Sequence, residues 1–157
     1  MEAKGMTHPK MPDTERLRLD QQICFPLYAA SRLVTRLYQP LIEPLGLTYP
    51  QYLVLMLLWE QSPRSVSEIG ERLQLDSSTL TPLLKRLAAA GFVTRSRSKR
   101  DERVVEIHLA AAGRKLEQQC AGIPLALAGQ IGFPAQEAAE LKRRLDGLLA
   151  RLILSVR

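Results

Sequence analysis

The sulfur chemistry available to this chain rests on two cysteines, Cys24 and Cys120, which lie far apart in the sequence. A thiolate is a nucleophile toward peroxides, so each residue is a candidate for redox chemistry. Two such cysteines in a reducing compartment do not predict a structural disulfide. A single cysteine on an apolar helix face is, by itself, most often a small core residue. Both interpretations of Cys24 therefore stay open on its residue type alone.

The residues that bind metals in proteins do not recur at metal-binding spacing in this chain. His8 and His108 are widely separated, and no CxxC or HExxH pattern is present. Structural and catalytic zinc sites need such clusters of ligands. The sequence therefore predicts no metal site and no cofactor.

Most of the chain's positive charge lies in one segment. The formal net charge is +6, and the segment from Lys85 to Arg103 carries seven basic and two acidic residues. The basic ones are Lys85, Arg86, Arg95, Arg97, Lys99, Arg100 and Arg103. Most charged runs are simply solvated faces, but a basic balance of this kind favours a polyanionic partner.

No segment predicts a membrane span or a secretory signal. The apolar runs are interrupted by charged residues before they reach the ~20 residues that a bilayer requires. The first residues lack an apolar signal core, so we expect a cytoplasmic protein. Residues 1–13 are interpreted as a flexible arm and residues 14–157 as a single domain.

The N-terminal half of that domain predicts two helices of different character. Apolar residues at helical spacing indicate a long amphipathic helix from about Leu17 to Leu45. Pro26 predicts a kink or restart near Cys24, and Pro40 predicts a stop. Thr48 is a candidate cap for a second helix, which is apolar on nearly all sides and is therefore expected to be central and buried.

The middle of the chain predicts a helix-turn-helix. Ser65-Val66-Ser67-Glu68 is a capping box that starts a short helix. Asp76-Ser77-Ser78 caps the next helix, and Gly91 ends it. The leucines of that second helix form one stripe at positions 80, 83, 84 and 87, opposite Ser78, Thr81, Lys85 and Arg86. This is the pattern that places a recognition helix in a DNA groove.

The pattern then changes to period two and back to helical. Alternation over 93–97 and 105–109 predicts a β-hairpin with a basic tip, which is typical of a wing that enters a minor groove. Residues 111–157 are predicted to be helical with a break at 131–134. In the last helix, a stripe of leucines at 141, 145, 148, 149 and 152 needs a cover, which predicts a symmetric dimer. No internal repeat is present.

This order of elements resembles the MarR family of bacterial regulators over most of the chain, from about Leu17 onward. Asp101-Glu102-Arg103, followed by Val104 to Leu109, resembles the D-x-R signature of that family's wing. The resemblance implies a mainly α fold with a small β-hairpin wing. It implies a winged helix-turn-helix over 47–110 and dimerisation helices over 17–46 and 111–157.

Three further segments resemble the OhrR-like organic hydroperoxide sensors of that family. They are Gln22 to Tyr28, Leu47 to Tyr52 and Leu75 to Leu87. Through this resemblance Cys24 matches the peroxide-reactive cysteine. Tyr38 and Tyr49 match two tyrosines that hydrogen-bond the sulfur from the other subunit, and Tyr28 matches a further tyrosine near the site. Oxidation to a sulfenic acid would rearrange these contacts and release DNA.

Two positions depart from that pattern. Pro26 follows the cysteine at a position where the family pattern more often has alanine, which is expected to alter the local turn and the exposure of the sulfur. Some members use a second cysteine in the C-terminal helical region to form an intersubunit disulfide, but Cys120 lies several residues early. Cys120 is therefore either a resolving thiol at a shifted position or a bystander, and the second interpretation is favoured.

The resemblance and the pattern together predict a palindromic double-stranded DNA operator bound by a homodimer. Lys85 and Arg86 are expected to contact phosphate or guanine, and Arg103 to enter the minor groove with Asp101 orienting it. The candidate DNA-binding residues are Asp76, Ser77, Thr79, Thr81, Lys85, Arg86, Arg95, Arg97, Asp101 and Arg103. Affinity is expected to fall steeply with salt.

The function favoured by these observations is that of a repressor, and not an enzyme, which releases its operator when an organic hydroperoxide oxidises Cys24. A second interpretation keeps the DNA role but has a small phenolic or drug-like ligand release the DNA, with Cys24 only lining a pocket. A thiol peroxidase would use the same sulfur, but the chain lacks a peroxidase-like α/β pattern. A purely structural dimerisation module is the weakest alternative.

Overall fold

The computed structural model describes residues 14–156 of the chain. The predicted arm over 1–13 lies outside the described residues. In chain order the helices are α1 (Cys24–Ile42), α2 (Tyr49–Glu60), α3 (Val66–Leu73), α4 (Ser77–Ala89), α5 (Ala111–Cys120), α6 (Ile123–Ile131) and α7 (Ala135–Ser155). The strands are β1 (Arg64–Ser65), β2 (Val93–Arg97) and β3 (Val105–Leu109). The predicted fold class, mainly α with a small wing, is confirmed.

The start of the first helix differs from the prediction. Residues 15–17 and 19–21 form short 3₁₀ turns, and α1 begins only at Cys24. Pro26 explains the boundary because a proline has no amide to donate and is tolerated best in the first turn of a helix. The predicted restart near Cys24 is therefore correct, whereas a continuous helix from Leu17 is wrong. At the other end α1 passes through Pro40 and ends at Ile42, two residues beyond the expected stop.

Helix α2 is the centre of the core, as its composition predicts. Thr48 precedes it with extended backbone angles, and the Thr48 amide donates to Oε1 of Gln51 at 2.9 Å. Val54, Leu55 and Leu58 are almost completely buried. Burial of an aliphatic side chain contributes about 1.5–3 kcal/mol, so this helix is a main source of the fold's stability.

The helix-turn-helix forms through the caps that the sequence predicts. Ser65 and Glu68 exchange hydrogen bonds at the start of α3: the Glu68 amide donates to Ser65 Oγ at 3.1 Å, and the Ser65 amide donates to Glu68 Oε2 at 2.6 Å. Between α3 and α4, Gln74 adopts a left-handed conformation with φ of 53°. Helix α4 follows this turn, and its four stripe leucines are buried.

The wing hairpin has the two predicted strands, and the sheet contains one additional strand. Arg95 pairs with Ile107 and Arg97 with Val105 in the antiparallel ladder of β2 and β3. The third strand, β1, pairs with the other edge of β3 through Arg64 and Ser65, which gives the order β1-β3-β2. Two residues are too few to show a period in sequence, so β1 was not predicted.

The C-terminal region contains three helices rather than two. The predicted break at 131–134 is confirmed, with Gly132 at φ of 73° after α6. A second break, at residues 121 and 122, separates α5 from α6 and was not predicted. No residue of α7 within the described part is buried, and Leu149 of its leucine stripe is 49% exposed.

A close backbone approach fixes α5 against the start of the wing. A Cβ atom at Gly113 would lie 2.2 Å from the carbonyl oxygen of Phe92 and 2.8 Å from Cδ1 of Leu109. Backbone cannot move away as a flexible side chain can, so only glycine fits this position. The contact sets the distance between α5 and the first residue of the hairpin.

Substitution of Gly113 tests this contact. Gly113→Ala is expected to destabilise the fold by about 1–3 kcal/mol through overpacking, as measured by the urea midpoint. Gly129→Ala is the matched control, since the same methyl group on α6 meets no atom of the described chain within 4 Å. It should leave stability unchanged or raise it by ~0.5–1 kcal/mol. Equal effects of the two variants would contradict the proposed close approach.

Candidate thiol site and candidate DNA interface

Cys24 is the first residue of α1 and is exposed in the single chain. Its neighbours Ile23 and Phe25 are also exposed although both are apolar. A thiol in this position is open to reagents, and the uncovered apolar side chains around it need a partner surface in a stable assembly.

Tyr28 lies one turn after Cys24 on the same helix. Residues four apart on a helix share a face, so the phenol and the thiol point to the same side of α1. Arg32 holds the phenol: its Nη1 atom donates to Tyr28 Oη at 3.1 Å, and its guanidinium carbon lies 5.5 Å from the ring centre. Tyr28 is thus exposed but fixed in direction.

Tyr38 and Tyr49 form the core of a tyrosine cluster at the contact of α1 with α2. Their ring centres are 4.7 Å apart. Tyr52 joins them at 5.6 Å from Tyr38 and 6.5 Å from Tyr49. Burial raises the pKa of the Tyr38 and Tyr49 phenols, and it raises the pKa of Tyr52 to about 12. All three hydroxyls therefore keep their protons at neutral pH and can donate hydrogen bonds.

Cys24 and this tyrosine cluster are far apart within one chain. Tyr38 follows Cys24 by 14 residues in one continuous helix. At about 1.5 Å of rise per residue, the two positions are about 21 Å apart along the helix axis. Tyr49 stacks on Tyr38, so it is equally remote. A Cys24 sulfur in contact with Tyr38 and Tyr49 therefore has to come from another copy of the chain.

Cys120 is in the opposite environment to Cys24. It ends α5, is 2% exposed, and burial raises the pKa of its thiol. It lies close enough to Tyr52 to contribute to the raised pKa of that phenol. A buried thiol with a raised pKa is a poor nucleophile in this conformation.

The recognition helix α4 presents a polar face whose first turn is held by Asp76. The Asp76 carboxylate accepts from the Thr79 amide at 2.8 Å and from Ser78 Oγ at 2.6 Å, and these bonds lower the pKa of the carboxyl group. Asp76 therefore positions the helix start. The other predicted contact residues on the exposed face are Ser77, Thr79, Lys85 and Arg86, whereas Thr81 is half-buried.

The wing tip is held in one shape by its own side chains. Arg103 donates from its Nε and Nη2 atoms to the two carboxylate oxygens of Asp101, each at 3.0 Å, and its amide donates to Oδ1 at 3.0 Å. Arg97 donates to the carbonyl of Glu102 at 2.6 Å, which closes the loop from the strand side. Arg97 thus acts first as a brace within the wing, in addition to any contact with phosphate.

The wing and the recognition helix share a cleft of about 250 Å³. Its lining includes Thr81 from α4, Arg95 from β2 and Arg103 from the wing loop. Two guanidinium groups and a hydroxyl group therefore converge at the surface between the two DNA-binding elements. The half-burial of Thr81 results from this position between the helix and the hairpin.

The structure identifies three residues that sequence analysis missed. Arg32 was missed because only its helical spacing from Tyr28 marks it. Tyr52 and Trp59 were missed because an apolar helix predicts core packing for both. In the fold, Tyr52 supports the tyrosine cluster, and Trp59 lies edge-on to Tyr52 with ring centres 6.1 Å apart.

Comparison with known proteins identifies the family. The model of the MarR family matches residues 47–105. A regulator of Bacillus subtilis (strain 168), the organic hydroperoxide resistance transcriptional regulator, is 44% identical over 138 residues, which cover 88% of this chain and 94% of the relative. The chain belongs to the MarR family. MgrA of Staphylococcus aureus, an HTH-type transcriptional regulator, is 36% identical to this chain over 87% of this chain and 93% of its own length.

Among solved structures, this MarR-family chain is similar to AbfR, which has been solved in reduced and overoxidised forms. AbfR of Staphylococcus epidermidis matches with a TM-score of 0.73 and 37% identity, covering 89% of this chain and 97% of AbfR. Reduced AbfR bound to DNA matches with a TM-score of 0.70 and 38% identity over 89% of this chain and 98% of that one. The named relatives are transcriptional regulators, and this chain has their fold.

In the part that the structure describes, no single helix is both long and apolar enough to cross a membrane. Within residues 14–156, no three potential metal ligands among His, Cys, Asp and Glu come together.

The different exposure of the two cysteines predicts their reactivity. In the native protein at pH 8, a disulfide reagent should modify Cys24 quickly and Cys120 at least ~100-fold more slowly, because burial both shields the Cys120 sulfur and raises its pKa. Cys24→Ser should remove the fast phase and Cys120→Ser the slow phase, as followed by thiol release. In urea both thiols should react at one rate. Fast modification of native Cys120 would contradict the structure.

Proposed function

We propose that this MarR-family chain is a homodimeric, DNA-binding repressor that releases its operator when an organic hydroperoxide oxidises Cys24. The observation that carries the proposal is the separation of an exposed thiol from a fixed pair of protonated phenols by about 21 Å along one helix. The two groups can meet only across a dimer. Their meeting would make the thiol's oxidation state a determinant of dimer geometry.

The dimer itself is supported by surfaces that a single chain leaves uncovered. The leucine stripe of α7 is open to solvent, as are the apolar residues that flank Cys24. Exposed apolar helix faces of this length are typical of subunit interfaces. A two-fold interface would cover both surfaces and bring Cys24 of each copy toward α1 and α2 of the other.

The proposed reaction oxidises sulfur and reduces the peroxide. The Cys24 thiolate attacks one peroxide oxygen, the O–O bond breaks, and the other oxygen leaves as an alkoxide that takes up a proton to give an alcohol. The sulfur becomes a sulfenic acid. Before oxidation, the Tyr38 and Tyr49 hydroxyls of the partner subunit donate to the thiolate and favour its ionised form. The larger sulfenic acid requires a different arrangement of these bonds.

DNA binding is assigned to the polar face of α4 and to the wing. Lys85 and Arg86 are exposed on α4, where they can reach phosphates or guanine edges. Arg103 extends from the wing with a 90% exposed side chain whose direction is fixed by Asp101. In a dimer these elements occur twice, which suits half-sites about one helical turn apart on a palindromic operator.

Relatives support the redox part of the proposal. The Bacillus subtilis relative is named for organic hydroperoxide resistance. AbfR has been solved in reduced and overoxidised forms bound to DNA and in a disulfide form. A structurally similar protein thus exists in reduced and oxidised forms, and we extend oxidation to Cys24 of this chain.

A second candidate function is release by a small apolar or phenolic ligand. One observation favours it: a cleft of about 270 Å³ lies between α1 and α2, lined in part by Ile42, Leu47 and Tyr49. Cys24 does not line this cleft. A ligand there would act on the tyrosine cluster without any chemistry at sulfur, so the two functions separate experimentally.

The decisive test compares thiol variants on an operator selected from random duplexes. Treatment with cumene hydroperoxide should weaken operator binding by wild type at least ~10-fold, within the usual range of allosteric coupling, and dithiothreitol should restore it. Cys24→Ser should keep its DNA under the same treatment. Electrophoretic mobility shift measures binding, and nonreducing electrophoresis shows any intersubunit disulfide.

Cys120→Ser is the matched control in that experiment. Because Cys120 is buried, this variant should release DNA as wild type does if Cys120 is a bystander. Loss of reversibility in Cys120→Ser would instead assign it the resolving role. Release of DNA by Cys24→Ser to the same extent as wild type would exclude the redox function, and release by a phenol without peroxide would establish the ligand function.

The wing assignment has its own charge-matched test. Asp101→Asn and Glu102→Gln each remove one negative charge from the wing, so electrostatic attraction to DNA alone predicts equal tightening. If Asp101 orients Arg103, Asp101→Asn should weaken operator binding by about 5- to 100-fold, the range of one lost base contact, and Glu102→Gln should not. Fluorescence anisotropy at fixed salt measures both affinities. Equal affinities of the two variants would remove the orienting role of Asp101.

A further inference from the structure

The tyrosine cluster continues through the core as a chain of aromatic rings. Tyr52 contacts both Tyr38 and Tyr49, and it is 2% exposed. Seven residues later on the same face of α2, Trp59 lies edge-on to Tyr52 with an interplanar angle of 70°. Edge-to-face aromatic pairs contribute ~0.5–1.5 kcal/mol beyond their buried area, so these rings have preferred relative positions.

The far end of this aromatic chain is tied to the wing. Trp59 Nε1 donates to the carbonyl oxygen of Gly113 at 2.9 Å, across 54 residues of sequence. Gly113 in turn lies against the carbonyl of Phe92, which also accepts from the Ala110 amide at 3.0 Å. Phe92 is the residue immediately before strand β2. The Trp59 N–H group, the first turn of α5 and the base of the hairpin are thus linked by consecutive direct contacts.

We infer that Trp59 is a positioning residue that ties the Tyr38 and Tyr49 pair to the base of the wing, so that rearrangement at the tyrosines displaces the DNA-binding hairpin. The inference deepens the proposed function and rests on it. The inference adds Trp59, which contacts neither Cys24 nor DNA in the proposed complex, and it names the contacts with Tyr52 and Gly113 through which Trp59 acts.

The packing at each step explains how a displacement would be carried. Tyr52 is enclosed by the core, so it cannot move independently of the rings on either side. The indole has one N–H group, and its bond to Gly113 fixes the start of α5 relative to α2. At Gly113 the neighbouring atom is backbone, and a contact without a side chain has little room to absorb a shift. The wing therefore follows α5.

A purely structural role for Trp59 makes a different prediction. Partial burial and contact with the core are enough to explain a tryptophan that only fills space. In that case its replacement lowers stability but leaves the ratio of operator affinities in the reduced and oxidised states unchanged. The ratio is therefore the quantity to measure.

The test uses Trp59→Phe in the full-length chain, which keeps an aromatic ring but removes the N–H donor. Operator affinity is measured before and after cumene hydroperoxide, with Met56→Leu on the same helix as the control. Wild type and Met56→Leu should lose at least ~10-fold in affinity on oxidation, and Trp59→Phe less than ~3-fold. Tyr52→Phe, which keeps the ring contacts, should behave as wild type, whereas Tyr52→Leu should behave as Trp59→Phe.

A second readout uses the fact that Trp59 is the sole tryptophan of the chain. Its emission should change when peroxide oxidises wild type and stay constant in Cys24→Ser. If Trp59→Phe binds too weakly in the reduced state for a ratio to be measured, this emission change decides: a change that depends on Cys24 supports the role, and a constant emission overturns it.

The remaining outcomes are equally decisive. Release of DNA by Trp59→Phe with the wild-type ratio would overturn the role of Trp59 and leave the redox function intact. Retention of DNA by oxidised wild type would exclude both the redox function and the role of Trp59, since no rearrangement at the tyrosines would then be transmitted to the wing. Oxidation of Cys24, followed by mass spectrometry, should proceed at the wild-type rate in Trp59→Phe, because the residue acts after the chemistry.

Discussion

The length of α1 is the constraint on which the other features depend. A rigid helix holds Cys24 near one end and Tyr38 near the other, and no side-chain rotation can close a gap of about 21 Å along its axis. In the proposed function, one chain therefore carries the two halves of the thiol site without being able to assemble them. Two copies in opposite orientation can assemble two sites at once, which links the chemistry to the symmetry of the dimer.

The same geometry explains why so much apolar surface is exposed in one copy. The core built around α2 is complete and well enclosed, with Val54, Leu55 and Ile107 fully buried. The terminal helices have no such enclosure: α7 exposes its leucine stripe between two charged pairs, Lys142 with Asp146 and Arg144 with Glu140. The chain thus combines an enclosed winged core with helices whose apolar faces are exposed, and the proposed dimer would cover those faces.

Local chemistry made much of this structure predictable. The Ser65 and Glu68 capping box, the Asp76 cap and the leucine stripe of α4 each act within a few residues, and each was predicted from sequence. The D-x-R pattern likewise led to the contact of Asp101 with Arg103 that the structure contains. Strand β1 and the break after Cys120 escaped prediction because each is only two residues long, which is too short to show a period. Tyr52 and Trp59 escaped prediction because Tyr52 contacts Tyr38 of α1 and Trp59 bonds to Gly113 of α5. Residue type alone does not distinguish an aromatic residue that links several elements from one that only fills space in the core.

The pairing of Arg103 with Asp101 has a kinetic consequence for a protein that must search along a polyanion. An arginine whose charge is already balanced adds little to the long-range pull of the wing toward arbitrary duplex. What remains is the planar guanidinium group of Arg103 in a fixed orientation, which distinguishes DNA sites by how well it fits the groove after contact. In the proposed complex, capture would depend on the other cations of α4 and the wing, such as Lys85, Arg86 and Lys99, whereas Arg103 would act as a gauge of groove width that slows departure from matching sites.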